Sequence, residues 1–194
     1  MELSEEYWNC RYAENNAGWD IGNVSPPIKE YIKQLSNKEL AILIPGAGNA
    51  YEAEFLYHSG FKNTYVLDFA ELPLQNIKKR MPDFPDKQLI QQDFFLHIGQ
   101  YDLIIEQTFF CAIHPGLRKQ YAQHMKSLLK PGGKLVGLLF NDTLNNEPPP
   151  FGGNKQEYEL LFSELFEIKI MEPCNNSIKP REGRELFVIM QVKA

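Results

Sequence analysis

The chain has 194 residues and a formal net charge of -5, enough length for one ordinary domain whose core needs no staples. No block of lysines or arginines stands out, which argues against a nucleic-acid surface or an acidic membrane face and favours small-molecule ligands. The three cysteines, Cys10, Cys111 and Cys174, are odd in number and far apart, which fits neither a disulfide framework nor a paired zinc motif and points to a reducing, cytoplasmic compartment.

Residues Met1 to Glu6 are acidic rather than basic, unlike an export signal, and no apolar run approaches the ~20 residues of a membrane span. From Leu3 to Asn15, Tyr7, Trp8, Arg11 and Tyr12 fall on one side of a short helix. A loop carrying Trp19 follows, and Pro26-Pro27 start a helix from Ile28 to about Leu35. From Leu40 onward, strand-like runs alternate with helical ones, the pattern of a parallel sheet covered on both faces. The spacing predicts strands at Ala41 to Ile44, Thr64 to Asp68, Gln88 to Gln91, Leu103 to Glu106 and Lys134 to Phe140. It predicts helices at Tyr51 to His58, Pro73 to Met81 and Pro115 to Leu129, the last stopped by Lys130-Pro131-Gly132-Gly133. The tail reads as a helix, Gln156 to Phe162, and an antiparallel hairpin of Phe166 to Met171 and Glu185 to Val192. The stretch Glu147-Pro148-Pro149-Pro150-Phe151-Gly152-Gly153 is a stiff loop, too short to link domains.

In such a sheet, ligands bind beyond the carboxyl ends of the strands where strand order reverses. The first predicted strand ends in Pro45-Gly46-Ala47-Gly48, a turn that lets backbone approach a ligand and feeds the N-terminus of a helix. Dinucleotides, phosphates and adenosyl cofactors all use such turns, and an ordinary strand-to-helix turn reads the same way. Asp68, at the second strand end, lies about twenty residues further on, the spacing at which a carboxylate accepts from a ribose diol, although it also suits a helix cap. The third strand leads to Asp93-Phe94-Phe95, where an acceptor could take the adenine amino group while Phe94 covers the ring. Tyr51 stands where the last glycine of a G-x-G-x-x-G series would be, which weakens the pyrophosphate reading. The fourth strand ends in Glu106-Gln107-Thr108-Phe109-Phe110.

These residues resemble the thiopurine S-methyltransferase superfamily, and within it the halide and thiol methyltransferases. The likeness rests on Trp8-x-x-Arg11-Tyr12, Trp19-Asp20-x-Gly22, Ile44-Pro45-Gly46-Ala47-Gly48, Asp93-Phe94-Phe95, Thr108-Phe109-Phe110-Cys111-Ala112-Ile113 with Arg118, and Pro149-Pro150-Phe151. It implies a class I α/β methyltransferase: a Rossmann-like three-layer sandwich whose seven-stranded, mostly parallel sheet ends in an antiparallel hairpin. The single domain, residues 1–194, would divide into N-terminal lid helices (1–37) and a Rossmann-like core (38–194). The resemblance implies S-adenosyl-L-methionine as methyl donor and a small-molecule acceptor; the charge balance predicts no nucleic-acid or membrane partner, and a monomer is the expectation. By the same carry-over Trp8, Tyr12 and Trp19 close over the cofactor, and Gly46 lies against its amino-acid part. Asp68 holds the ribose, Asp93 and Phe94 bind adenine, and Gln107 approaches the methionine end. Gln107, Phe109 and Phe151, with Pro149 and Pro150, would border the acceptor pocket. The family often has tryptophan at Tyr12, aspartate at Glu106, and tyrosine or arginine at Gln107, so the acceptor is the open question.

The acceptor class implied is a soft nucleophile: a thiol, hydrosulfide, halide or thiocyanate. Such an acceptor is largely anionic near neutral pH and needs an apolar pocket more than a base. An oxygen or nitrogen acceptor would need a base; His114 is the best candidate but reads as a helix start, and His58, His97 and His124 read as surface or helix-face residues. Cys111 reads as a buried filler. A dinucleotide oxidoreductase and a non-catalytic S-adenosylmethionine-binding module are the other readings.

Overall fold

Branched and aromatic residues build seven strands: β1 (Ile42–Pro45), β2 (Thr64–Asp68), β3 (Leu89–Gln91), β4 (Tyr101–Gln107), β5 (Leu129–Phe140), β6 (Phe166–Pro173) and β7 (Glu185–Val192). The computed structural model describes residues 3–144 and 149–193; Glu147 and Pro148 of the proline-rich loop lie outside them. The strands form one sheet in the order β3-β2-β1-β4-β5-β7-β6. The first five run parallel, while β7 is antiparallel to both β5 and β6. Strand order therefore reverses between β1 and β4, and the crevice at their carboxyl ends is the natural ligand site.

The helices are α1 (Glu5–Ala13), α2 (Pro26–Lys33), α3 (Tyr51–His58), α4 (Glu71–Arg80), α5 (Arg118–Leu128) and α6 (Lys155–Ser163). Two apolar layers flank the sheet. Ile28 and Ile32 of α2, Ala53 and Leu56 of α3, and Leu74 and Ile77 of α4 pack on one face. Tyr121, Met125 and Leu128 of α5, with Tyr158 and Phe162 of α6, pack on the other. Helix α2 starts two residues before Ile28, because proline is pre-set for the first helical turn. Its buried isoleucines make it part of the core layer rather than of a segment lying over the crevice, unlike the expected division at residue 37. Strand β5 starts at Leu129, and the predicted stop at Lys130-Pro131-Gly132-Gly133 lies within it: Leu129 pairs with Tyr101 before a register shift, and Lys134 resumes opposite Leu103. His97 is not a surface residue; it is buried between the Gln92 side chain (3.1 Å) and the Tyr101 hydroxyl (2.8 Å). No helix among the described residues is long and apolar enough to cross a membrane.

Candidate active site

The glycine turn after β1 is built from left-handed backbone, with Gly46 at φ +54° and Gly48 at φ +53°. Asp68, at the end of β2, straps this turn down: one carboxylate oxygen accepts from Gly48 N at 2.9 Å, the other from Ala70 N at 2.9 Å. Burial pushes its carboxyl up to about 6, against the pull of those backbone hydrogen bonds. Capping does not exhaust a carboxylate, which offers about four acceptor positions. Gly46 has no room for a side chain, while Gly48 meets only the far end of the Tyr12 side chain. A Cβ on Gly46 would lie 2.0 Å from the Phe109 ring, and one on Gly48 would lie 2.5 Å from the Tyr12 hydroxyl.

That Tyr12 hydroxyl belongs to an aromatic cluster above the turn. Trp19 donates to it at 3.2 Å, and the Trp8 and Tyr12 rings meet Trp19 edge-on at 5.3 and 5.7 Å. Burial raises the Tyr12 phenol above its ordinary range, and the Asp68 carboxylate adds to the rise. The Arg11 guanidinium covers the Trp19 ring at 5.0 Å. Hydrogen bonds pin the segment to the core: Leu72 N to Asn9 Oδ1 (3.1 Å), Arg181 Nη2 to the Trp19 carbonyl (2.7 Å) and Ser25 N to Glu52 Oε1 (2.9 Å). Asp20 also accepts from the side chain of Asn49, next to the turn. A groove of about 600 Å³ runs on the far side of the same loop, against α2 and Arg181, and touches neither Gly46 nor Asp68.

At the β3 end, Asp93 caps the short helical turn that follows, accepting from Phe95 N at 2.9 Å. Phe94, expected to cover the adenine, follows Asp93 directly. Its ring is buried in the core, packed on Phe109 (5.1 Å), Tyr121 (5.5 Å) and His124 (4.7 Å). The end of β4 separates by alternation. Glu106 faces α5: its carboxylate accepts from Phe109 N (2.8 Å), Phe110 N (2.9 Å) and the Tyr121 hydroxyl, and burial pushes it up to about 7. Gln107 takes the face of Leu103 and Ile105, and its Oε1 is buried without a hydrogen-bond partner.

Thr108 follows at φ +62°, rare for a β-branched residue, and this bend returns Phe109 onto Gly46. No feature of the sequence signals it. Phe151 is tied to the same bend, its N–H donating to the Cys111 carbonyl at 2.7 Å, and its ring lies 5.5 Å from His114. The His114 Nδ1 accepts from Gly116 N at 3.1 Å, so the residue starts a helical turn. Cys111 is buried and its thiol is pushed up to about 12. Sequence reasoning overlooked Asn49, Glu52 and Arg181, polar groups whose partners lie on other elements.

A family profile described as Thiopurine S-methyltransferase (TPMT) matches residues 3–191. The chain belongs to the thiopurine S-methyltransferase family. A "Probable thiol methyltransferase 2" from Arabidopsis thaliana is 30% identical over 190 residues, covering 95% of this chain and 84% of that protein. A "Thiopurine S-methyltransferase" from Acinetobacter baylyi is 22% identical, over 88% of each chain. In fold, the chain is similar to a Burkholderia thailandensis 1,6-didemethyltoxoflavin-N1-methyltransferase with bound 1,6-didemethyltoxoflavin and S-adenosylhomocysteine (TM-score 0.78, 13% identity, 99% of this chain and 88% of that one). It is an S-adenosylmethionine-dependent methyltransferase with the class I fold. The residues present fit that donor: a left-handed glycine turn whose Gly46 admits no Cβ, a carboxylate with acceptor positions to spare beside it, and an unpartnered amide oxygen at the end of β4.

Proposed function

We propose that this family member methylates a small, soft nucleophile that arrives already anionic, with a thiol, hydrosulfide, thiocyanate or halide as the acceptor class. One observation carries the reading. At the end of β4 the ring set against the glycine turn is Phe109, and Gln107 beside it in sequence is uncharged with its Oε1 unpartnered, while the ionisable neighbours are committed elsewhere. Glu106 is held by two backbone amides and Tyr121, Cys111 is buried and protonated, and His114 Nδ1 is occupied by Gly116 N. Among the described residues of this bend, none stands ready as a general base, as an alcohol or amine would require. The thiol and thiopurine methyltransferases among its relatives support the same class.

In this reading Asp68 takes the ribose, Asp93 the adenine amino group, and Gly46 approaches the amino-acid end. The orphaned Gln107 Oε1 accepts from a donor there, the ammonium being the strongest available. Bound S-adenosylmethionine supplies a methyl group activated on a cationic sulfur. An anionic acceptor loses its charge as it takes that methyl, so water, which stabilises the separated charges, slows the transfer. Trp8, Trp19, Phe109 and Phe151 act by excluding it and by fixing the approach in line. Because Tyr12 stands over Gly48, α1 and the Trp19 loop form the lid that shifts to admit the donor. We infer a reducing cytoplasmic setting from the three free thiols, and, from a net charge of -5 without a basic block, a chain that acts on small molecules rather than nucleic acid, taken as a monomer.

A competition assay with methyl-labelled donor tests the acceptor class. Iodide, thiocyanate, hydrosulfide and thiophenols should be methylated, while methylation of a phenol or amine with the soft nucleophiles inert would overturn the proposal.

A further inference from the structure

Arg118, the first residue of α5, is only 12% exposed in its side chain. Its Nη2 donates to the Gly152 carbonyl at 2.7 Å, and its guanidinium lies over the rings of Phe110 (4.7 Å) and Tyr158 (5.9 Å). Its Nε is buried without a partner, and the nearest carboxylate, Glu157, stands 4.0 Å from Nη1 and is itself mostly exposed. A cation so far desolvated, with a loop carbonyl as its short hydrogen bond, is placed for what it holds rather than for ion-pair energy.

What it holds is the segment carrying Phe151. Three successive residues are fastened to three different elements: Phe151 N to the Cys111 carbonyl (2.7 Å), the Gly152 carbonyl to Arg118, and Gly153 N to the Asp142 carbonyl (2.9 Å). A Cβ on Gly152 would fall 2.2 Å from the Asp142 carbonyl, so the segment is pressed against its neighbours. Phe110, stacked under the guanidinium, belongs to the bend that Glu106 anchors and that sets Phe109 on Gly46. Arg118 thus bridges the two pieces of chain that bear Phe109 and Phe151.

We propose that Arg118 is a positioning residue for acceptor selectivity: it locks Phe151 at a fixed separation from Phe109 and so sets the width of the acceptor pocket. This rests on the reading that the acceptor lies between those two rings. Lysine keeps the charge but has neither the planar fork nor the stacking surface, so the conservative exchange should restore the function only in part.

The test compares wild type, R118M and R118K by acceptor KM for iodide and for thiophenol, S-adenosylhomocysteine affinity by calorimetry, melting temperature, and amide exchange at Phe151 and Gly153. For R118M the acceptor KM should rise about tenfold, the scale of a lost hydrogen bond to a charged group, with the ratio between the small and the bulky acceptor changed. S-adenosylhomocysteine affinity should stay as in wild type, and exchange at Phe151 and Gly153 should quicken. R118K, which is expected to fold even if R118M does not, should show the same changes at smaller size. A lowered melting temperature with KM values and their ratio intact in R118K would reduce Arg118 to a structural residue and overturn the proposal. Equal loss of S-adenosylhomocysteine affinity would also overturn it, by placing the effect on the donor. Inertness of wild type toward iodide and every thiol would instead remove the acceptor reading itself, and the proposal with it.

Discussion

The two sides of the crevice are built by different means. On the β1–β2 side the surface is backbone: left-handed glycines, an aspartate bonded to main-chain amides, and the N-terminal aromatic segment fastened to the core by hydrogen bonds. On the β4–β5 side it is rings: Phe109 and Phe151, on a bend backed by the buried Phe110 and Tyr121 and held from beneath by Glu106. Backbone recognition suits a ligand that is always the same, because its geometry is independent of side chains. A wall of rings selects by shape and dryness, and each exchanged ring resizes it. The donor side should therefore break under single substitutions, and the acceptor side should retune.

The sharpest break is Asp68→Ala. It leaves the buried Gly48 and Ala70 amides without their acceptor, at about 1–3 kcal/mol each, and removes the proposed ribose contact. Thermal melts should show a large loss, and calorimetry with S-adenosylhomocysteine no measurable binding. In wild type, the same affinity should weaken as pH falls through about 6, where the carboxyl takes up a proton.

Gly46→Ala comes next. The backbone at φ +54° disfavours alanine by about 1–2 kcal/mol, and the new methyl collides with Phe109. Melting temperature and donor affinity should both drop; an unaltered donor affinity would show that Gly46 does not face the ligand.

Glu106→Gln addresses the acceptor side through its foundation. The folded value of Glu106, about 7, lies above its ordinary 4.5, so the fold favours the protonated form. That stabilisation is complete below about 4.5 and is lost as pH rises through about 7. Glutamine keeps an oxygen for Phe109 N and Phe110 N and cannot ionise, so the variant should lose much of this pH dependence, a change of about 1–3 kcal/mol across the window. Denaturant melts at several pH values read it; Asp68 leaves a residual slope of the same sign up to about 6.

The mildest is Tyr12→Phe, which removes the Trp19 indole's acceptor at about 1 kcal/mol. Donor release should quicken in stopped-flow while acceptor selectivity stays fixed.

The donor side was the more legible half. Branched runs and glycines mark β1 and its turn, and an acid at the end of β2 admits few roles, so Asp68 could be singled out from spacing. Phe94 could not be oriented, because the residues that bury it, Tyr121 and His124, come from α5. Alternation along β4 would have separated Glu106 from Gln107, given that Ile104 faces α5. The left-handed Thr108 carries no sequence mark, and the roles of Arg118 and Arg181 exist only once distant loops meet.

The chain contains two tryptophans, and both stand in the ring cluster above the glycine turn. Indole emission from this protein therefore originates at one place, and the tyrosine- and phenylalanine-rich core is silent when indole alone is excited. A donor that displaces Tyr12 from Gly48, as proposed, should alter the surroundings of both indoles together. The unlabelled protein would then carry its own optical gauge of the crevice mouth, one expected to respond to donor and to stay blind to events around Phe151.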